Sequence, residues 1–421
     1  MQKIVIRGGK PLEGLVEISG SKNAVLPLMC ASLLTRDEMT FHRVPALRDI
    51  RTAKQLLLQL GAQLDDFTPG ALRIKARDIT DHTAPYELVK TMRASVMVLG
   101  PLMAREGRAD ISLPGGCAIG ARPIDQHLKG LKAMGATIEL NSGYVKARVD
   151  RLKGADFSFD LTTVTGTENM LMAASLAKGT TVLRNCACEP EVLELAHVIN
   201  RMGGSVHGAG TDTIIVEGRD RLDGIVYEVM PDRIEAGTYL LAGAITRGDV
   251  TAVGCNPSHM LALLEKLEGA GLKIETTDCQ ARVISNGNIR SRDAATDPYP
   301  GFATDFQAQY MALMALGDSK CEITENVFEN RFMHVQELVR MGAGIRVSGR
   351  KARVQGVKRL SGAHVQATDL RASASLILAG LAAEGVTEIH RAYHLDRGYE
   401  CIEEKLSKLG ADIRREKDDI L

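Results

Sequence analysis

The 421-residue chain carries little aromatic surface, 4% Phe, Tyr and Trp together with no Trp, so its core has to be assembled from Leu, Ile, Val, Met and Ala. It has no surplus of charge either: 52 Lys+Arg balance 52 Asp+Glu, whereas a protein made to hold nucleic acid or an anionic membrane carries a basic excess. Neither partner is expected. No apolar run reaches the roughly 18 residues of a membrane-spanning helix, and the opening M-Q-K-I-V-I-R-G-G-K has no apolar stretch of the kind that marks a secretory leader. A cytoplasmic location is expected. The eight cysteines (30, 117, 186, 188, 255, 279, 321, 401) form no C-x-x-C pair and have no neighbouring His at ligand spacing. That fits neither a disulfide framework nor a zinc site, so free thiols and no metal are expected. There is no phosphate loop of the G-x-x-x-x-G-K-[ST] type and no strand-linked G-x-G-x-x-G, which leaves a P-loop ATPase or a nicotinamide dehydrogenase unsupported and implies no cofactor.

The chain does have length, 41 glycines and an internal period. At roughly 100–200 residues per domain it is long enough for two domains or one large repetitive one. Six copies of one short pattern occur, L-G-A-Q-L at 60–64, M-G-A-T-I at 134–138, M-G-G-S-V at 202–206, A-G-L-K-I at 270–274, M-G-A-G-I at 341–345 and L-G-A-D-I at 409–413, their glycines 74, 68, 68, 71 and 68 residues apart. Each copy follows an amphipathic stretch and precedes alternating residues, which reads as helix, glycine C-cap and strand. A second element recurs once per repeat, at 22–34, 93–103, 168–177, 235–245, 305–316 and 371–382, and is small and aliphatic on all sides. A helix apolar all round is a buried one. The expected fold is therefore α/β (α+β), with six units of about 70 residues, and the size limit on single cores favours two lobes of three. Residues 3–7 and 14–18 read as strands, while the last repeat has almost no sequence left after 413, so the N-terminal strands are expected to complete the C-terminal lobe. The crossings are placed near Gly20 and Met230-Pro231, giving lobes of 21–229 and of 1–20 plus 230–421 with the active site in a cleft between them.

Chemistry gathers where the buried helices start: Lys22-Asn23, Arg93, Glu168-Asn169, Arg233 with Glu235, Asp305 and Arg371. Helix N-termini offer unpaired N–H groups and a positive dipole end, which suits anions and phosphate above all. A cation there is unfavourable unless an anion binds beside it. The second concentration is P-G-G-C-A-I-G-A-R-P at 114–123, a glycine-rich loop that presents Cys117 and ends at the next helix. Arg122, next to Pro123 at the expected first helical position, would lower the thiol pKa. The residues alone thus point to a two-lobed enzyme that binds a small polyanion with several Arg and a Lys, and that uses a Cys and a carboxylate for proton transfer.

Seven motifs carry a resemblance across the whole chain: S-G-S-K-N-A at 19–24, T-M-R-A-S at 91–95, the Cys117 loop, P-G-F-A-T-D-F-Q-A-Q at 300–309, N-V-F-E-N-R-F-M-H-V at 326–335, D-L-R-A-S-A at 369–374 and D-R-G-Y-E at 396–400. In these the chain resembles the UDP-N-acetylglucosamine 1-carboxyvinyltransferases. The Cys loop separates that family from the shikimate-pathway enolpyruvyl transferases, which lack it. The resemblance implies an inverse α/β barrel of two lobes, each made of three β-α-β-α-β-β repeats around buried helices. It implies transfer of the enolpyruvyl group of phosphoenolpyruvate to the 3′-hydroxyl of UDP-N-acetylglucosamine with release of phosphate, the first committed step of peptidoglycan precursor synthesis. Roles in cell shape, cell cycle and division, and sensitivity to fosfomycin, are implied with it. By resemblance Cys117 is the acid and Asp305 the base or the group that orients the hydroxyl. Lys22, Arg122 and Arg397 meet phosphate and carboxylate, with Arg331 and Arg371 in the same anionic region. Asn23, Arg93, Arg122, Pro123, Ile124, Asp125, Gln126, Thr163, Val164, Asp305 and Val327 fall at positions that hold the nucleotide sugar. The segment 161–167 departs from a K-x-S-V-G-A-T found in some members, which bears on the uridine and diphosphate contacts. A shikimate-pathway enzyme and a non-catalytic relative are the alternatives.

Overall fold

The computed structural model describes residues 2–113 and 124–418. Among the described residues, six four-stranded sheets are built on one plan. In each, an amphipathic helix ends in a glycine in the left-handed region, Gly61, Gly135, Gly203, Gly271, Gly342 and Gly410, with φ between +90° and +102°. An L side chain is strained at that φ, and glycine lets the chain reverse from helix into the next strand within two or three residues. The six glycines of the sequence period are thus six equivalent caps.

The buried element of each repeat is helical. Lys22–Ala31 runs on into a 3₁₀ turn at Ser32–Leu34, and Leu99–Glu106 is introduced by a 3₁₀ turn at Arg93–Val98. Gln307–Met314 is preceded in the same way by Thr304–Phe306, while Arg233–Ile245 and Leu370–Ala382 are continuous α-helices. The third element starts earlier than expected, at Val164 rather than at 168, because the Thr163 side chain accepts from Gly166 N and caps the helix there. Glu168 and Asn169 therefore lie inside the helix Val164–Ser175 and not at its start. Every residue of Arg233–Ile245 is buried. Small residues permit the close approach: a Cβ on Gly237 would lie 2.4 Å from a Phe306 ring carbon, and one on Gly243 2.8 Å from the Val250 side chain.

Residue contacts divide the described chain into two compact units, 2–19 with 231–418 and 20–113 with 124–230. In four sheets the first strand of a repeat pairs in parallel with the strand after its own buried helix, as His364–Gln366 does with Val386–His390. In the other two the first strands are exchanged: Glu13–Glu17 pairs with Asp249–Val253, and Val226–Glu228 with Glu38–His42. The chain changes unit directly after each exchanged strand. Gln2–Arg7 lies between Val386–His390 and Asp412–Lys417 and closes the sheet of the last repeat. Among the described residues no helix is long and apolar enough to cross a membrane.

Candidate active site

In the unit that includes residues 231–418, Asp305 sits in the 3₁₀ turn ahead of Gln307–Met314 and faces two arginines. Arg331 Nη2 donates to Asp305 Oδ1 at 2.6 Å; Arg371 donates to Oδ2 through Nη2 at 2.8 Å and Nε at 3.1 Å. Arg371 is the second residue of Leu370–Ala382, a helix fixed by Asp369, whose side chain accepts from the N–H groups of Arg371 and Ala372. Its remaining nitrogen donates to Tyr399 Oη at 3.2 Å, and that hydroxyl exchanges a hydrogen bond with Thr238 and accepts from Gln309 Nε2.

Arg331 is steered by a second chain of bonds. Its Nη1 donates to Thr304 Oγ1 at 2.7 Å, the Thr304 hydroxyl donates to Glu325 Oε2, and buried Glu325 also accepts from Thr296 Oγ1 and from the backbone N–H groups of Val327 and Phe328. Arg331 Nε is buried with no partner among the described residues. Burial would raise the Asp305 carboxyl, but the Arg371 and Arg331 guanidiniums outweigh it and hold the group well below the ordinary carboxylate value. Asp305 is thus an anion saturated by two cations. Arg397 ends the turn Ala392–Arg397, and a Cβ on the following Gly398 would lie 2.6 Å from Leu370, so this turn presses on the start of the Arg371 helix.

Among the described residues, the other expected site residues apart from Val327 belong to the other unit. Lys22 opens the helix Lys22–Ala31, capped by Ser21, and its ammonium lies 3.1 Å from Asp49 Oδ2, with both side chains largely buried. Asn23 follows it, and Arg93 opens the turn Arg93–Val98; both are partly buried. Ile124 is buried before the helix Asp125–Ala133, and Gln126 bonds Asp125 and Asp160 through Nε2 and the Asp160 N–H through Oε1. Next to it His127 is buried and receives a hydrogen bond from Asn169 Nδ2 at 2.8 Å; burial pushes its pKa down to about 4. Thr163 and Val164 form the start of their helix. Cys117, Arg122 and Pro123 lie outside the described residues.

The structure therefore joins Asp305, Arg331 and Arg371 directly and places Arg397 and Val327 on segments of the same unit. Sequence reading missed Asp49, Glu325 and Tyr399. Tyr399 stands inside D-R-G-Y-E and could have been singled out there, whereas nothing local marks Asp49 as the partner of Lys22.

A family model described as EPSP synthase (3-phosphoshikimate 1-carboxyvinyltransferase) matches residues 6–406. A UDP-N-acetylglucosamine 1-carboxyvinyltransferase of Anaeromyxobacter sp. (strain Fw109-5) is 58% identical over 421 residues, covering 99% of this chain and 100% of its own. The chain belongs to the UDP-N-acetylglucosamine 1-carboxyvinyltransferase family. A member from Desulforapulum autotrophicum is 57% identical over 99% of this chain and 100% of its own. Among solved structures, the enolpyruvyl transferase NikO of Streptomyces tendae superposes with a TM-score of 0.88 at 24% identity, covering 98% of each chain. EPSP synthase of Acinetobacter baumannii gives 0.75 at 17%, covering 99% of this chain and all of the other. At these identities the two structures speak for the fold, and it is the enolpyruvyl transferase fold that the resemblance implied.

Proposed function

We propose that this enzyme transfers the enolpyruvyl group of phosphoenolpyruvate to the 3′-hydroxyl of UDP-N-acetylglucosamine and releases phosphate, as an early step in making the peptidoglycan cell wall. The observation that carries the reading is full-length identity with relatives of that name, 58% over 421 residues. The Asp305 cluster supplies suitable chemistry. Addition across the enol double bond needs one proton delivered to the methylene carbon and one taken from the sugar hydroxyl. We assign the first to Cys117. Asp305 accepts a hydrogen bond from the hydroxyl and takes its proton only after a guanidinium has turned to another anion, because a carboxylate neutralised twice has little affinity for a proton. Phosphoenolpyruvate is such an anion. Arg331, with an unmet Nε donor, and Arg371 bind it together with Lys22, Arg122 and Arg397, and preorganised donors of this kind stabilise the charge that develops in the transition state. Asn23, Arg93, Ile124–Gln126, Thr163, Val164 and Val327 hold the nucleotide sugar. The finer readings, a cytoplasmic enzyme that serves cell shape and division and whose Cys117 is alkylated by fosfomycin, follow from the same assignment.

The test is phosphate release from phosphoenolpyruvate with UDP-N-acetylglucosamine, with shikimate 3-phosphate, or with neither, and mass spectrometry of the product. A sugar nucleotide heavier by one enolpyruvyl group supports the reading. Turnover with shikimate 3-phosphate alone overturns it.

A further inference from the structure

The parallel pair His364–Gln366 and Val386–His390 sets His364 opposite Glu388, with His390 two residues further along the same strand. His364 Nδ1 lies 3.4 Å from His390 Nε2 and 3.5 Å from Glu388 Oε2, and the three ligand atoms all fall within 4.8 Å of one another. In a tetrahedral zinc site with bonds of about 2.0–2.1 Å, neighbouring donor atoms are about 3.3–3.4 Å apart. The His364 nitrogen stands near that spacing from both other donors, and two imidazole nitrogens with a carboxylate oxygen make a familiar donor set for zinc.

A second observation points to the same ligand. The other nitrogen of His390, Nδ1, is 2.9 Å from Oδ2 of Asp418, a carboxylate with no solvent exposure. With Asp418 accepting the Nδ1 proton, Nε2 is left as a lone pair aimed at His364, and such a carboxylate behind a histidine is the usual device for orienting a metal-bound imidazole. His364 is 66% exposed, so the outer side of the cluster is open to water. One native group competes: Lys3 Nζ donates to Glu388 Oε2 at 2.6 Å.

We propose that His364, Glu388 and His390 form a binding site for a divalent transition metal of the zinc class, with Asp418 as the orienting partner and water in the fourth position. The site takes no part in the transfer reaction. Its strands lead into the Leu370–Ala382 helix and the Ala392–Arg397 turn, so the ion staples together the two segments that carry Arg371 and Arg397. Its sequence signature is invisible because the ligands come from two strands, at positions 364, 388 and 390.

Metal-free full-length protein carrying Cys117→Ser, Cys279→Ser and Cys401→Ser, to remove thiol sites, is titrated with zinc chloride and with cobalt chloride. One equivalent should bind with micromolar or tighter affinity, the cobalt form should show the intense visible bands of four-coordinate geometry, and saturating zinc should raise the melting temperature by several degrees. His364→Ala, at an exposed side chain, should weaken binding at least a hundredfold and abolish the shift. Lys3→Met, which removes the competing cation, should tighten it several-fold. Binding weaker than about 100 μM, unchanged affinity in His364→Ala, or weaker affinity in Lys3→Met would each overturn the site.

Discussion

Replacing Arg371 with Met removes one of the two cations on Asp305 while keeping most of the buried volume. The Arg371 side chain is 4% exposed and that of Asp305 25%. Two unit charges about 4 Å apart attract by about 4 kcal/mol at an effective dielectric near 20, and deleting one partner of a buried pair costs about 3–5 kcal/mol. Here Arg331 still holds Oδ1 at 2.6 Å and the carboxylate touches solvent, which puts the cost at the lower end, about 3 kcal/mol. Tyr399 keeps Thr238 and Gln309 as partners, so its hydroxyl adds little. Urea unfolding of Arg371→Met, Asp305→Asn and the double variant closes a mutant cycle, with an expected coupling of about 2 kcal/mol. Because the Asp305 carboxyl is depressed in the fold, its contribution is full above the unfolded carboxylate pKa of about 3.9 and is lost as pH falls through the folded value. A cost below about 0.5 kcal/mol for Arg371→Met, or strictly additive single variants, would refute the description of Asp305 as a doubly neutralised anion.

Arg397→Ala should lower kcat/KM for phosphoenolpyruvate by about 2–4 kcal/mol of transition-state stabilisation with little change in the urea midpoint; normal turnover at subsaturating substrate would remove Arg397 from the site. Cys117→Asp should retain activity with its optimum moved to lower pH, since a carboxylic acid also delivers a proton, while Cys117→Ser should be far weaker; equal rates would take Cys117 out of proton transfer. Burial depresses His127 to about 4, helped by Arg93 and opposed by Asp125, so stability is full above about 6.5 and declines as pH falls toward 4. His127→Gln should flatten that decline by up to about 3 kcal/mol in acid denaturation profiles, and an unchanged profile would contradict the burial argument.

The repeats were legible because their signal is local. A glycine that must take positive φ after an amphipathic helix leaves the same mark each time, and Gly61, Gly135, Gly203, Gly271, Gly342 and Gly410 all have it. The start of the third buried helix was misplaced because charge was read as the boundary, when the deciding residue was Thr163, whose hydroxyl oxygen satisfies Gly166 N. Strand exchange left only an indirect mark, the shortage of sequence after 413, from which the strands at 3–7 and 14–18 are expected to complete the C-terminal lobe, and nothing in the sequence names their partners. Glu13–Glu17 and Val226–Glu228 look like any other short edge strand, and their partners, Asp249–Val253 and Glu38–His42, are about 200 residues away in sequence. The same limit hid the pairing of Lys22 with Asp49 and the meeting of His364 with His390.

The family resemblance made Asp305 a candidate base, and it made Arg331 and Arg371 candidate anion binders. Their contact changes what each can do. A carboxylate that already accepts three hydrogen bonds from guanidinium groups is a weak base for as long as those cations stay. Two arginines turned toward an internal carboxylate are likewise not free to hold a substrate anion at full strength. On the proposed assignment the two roles compete for the same pair of cations, so that an external anion would free the carboxylate as it occupies the arginines. On this argument the proton affinity of Asp305 rises only when phosphoenolpyruvate is in place.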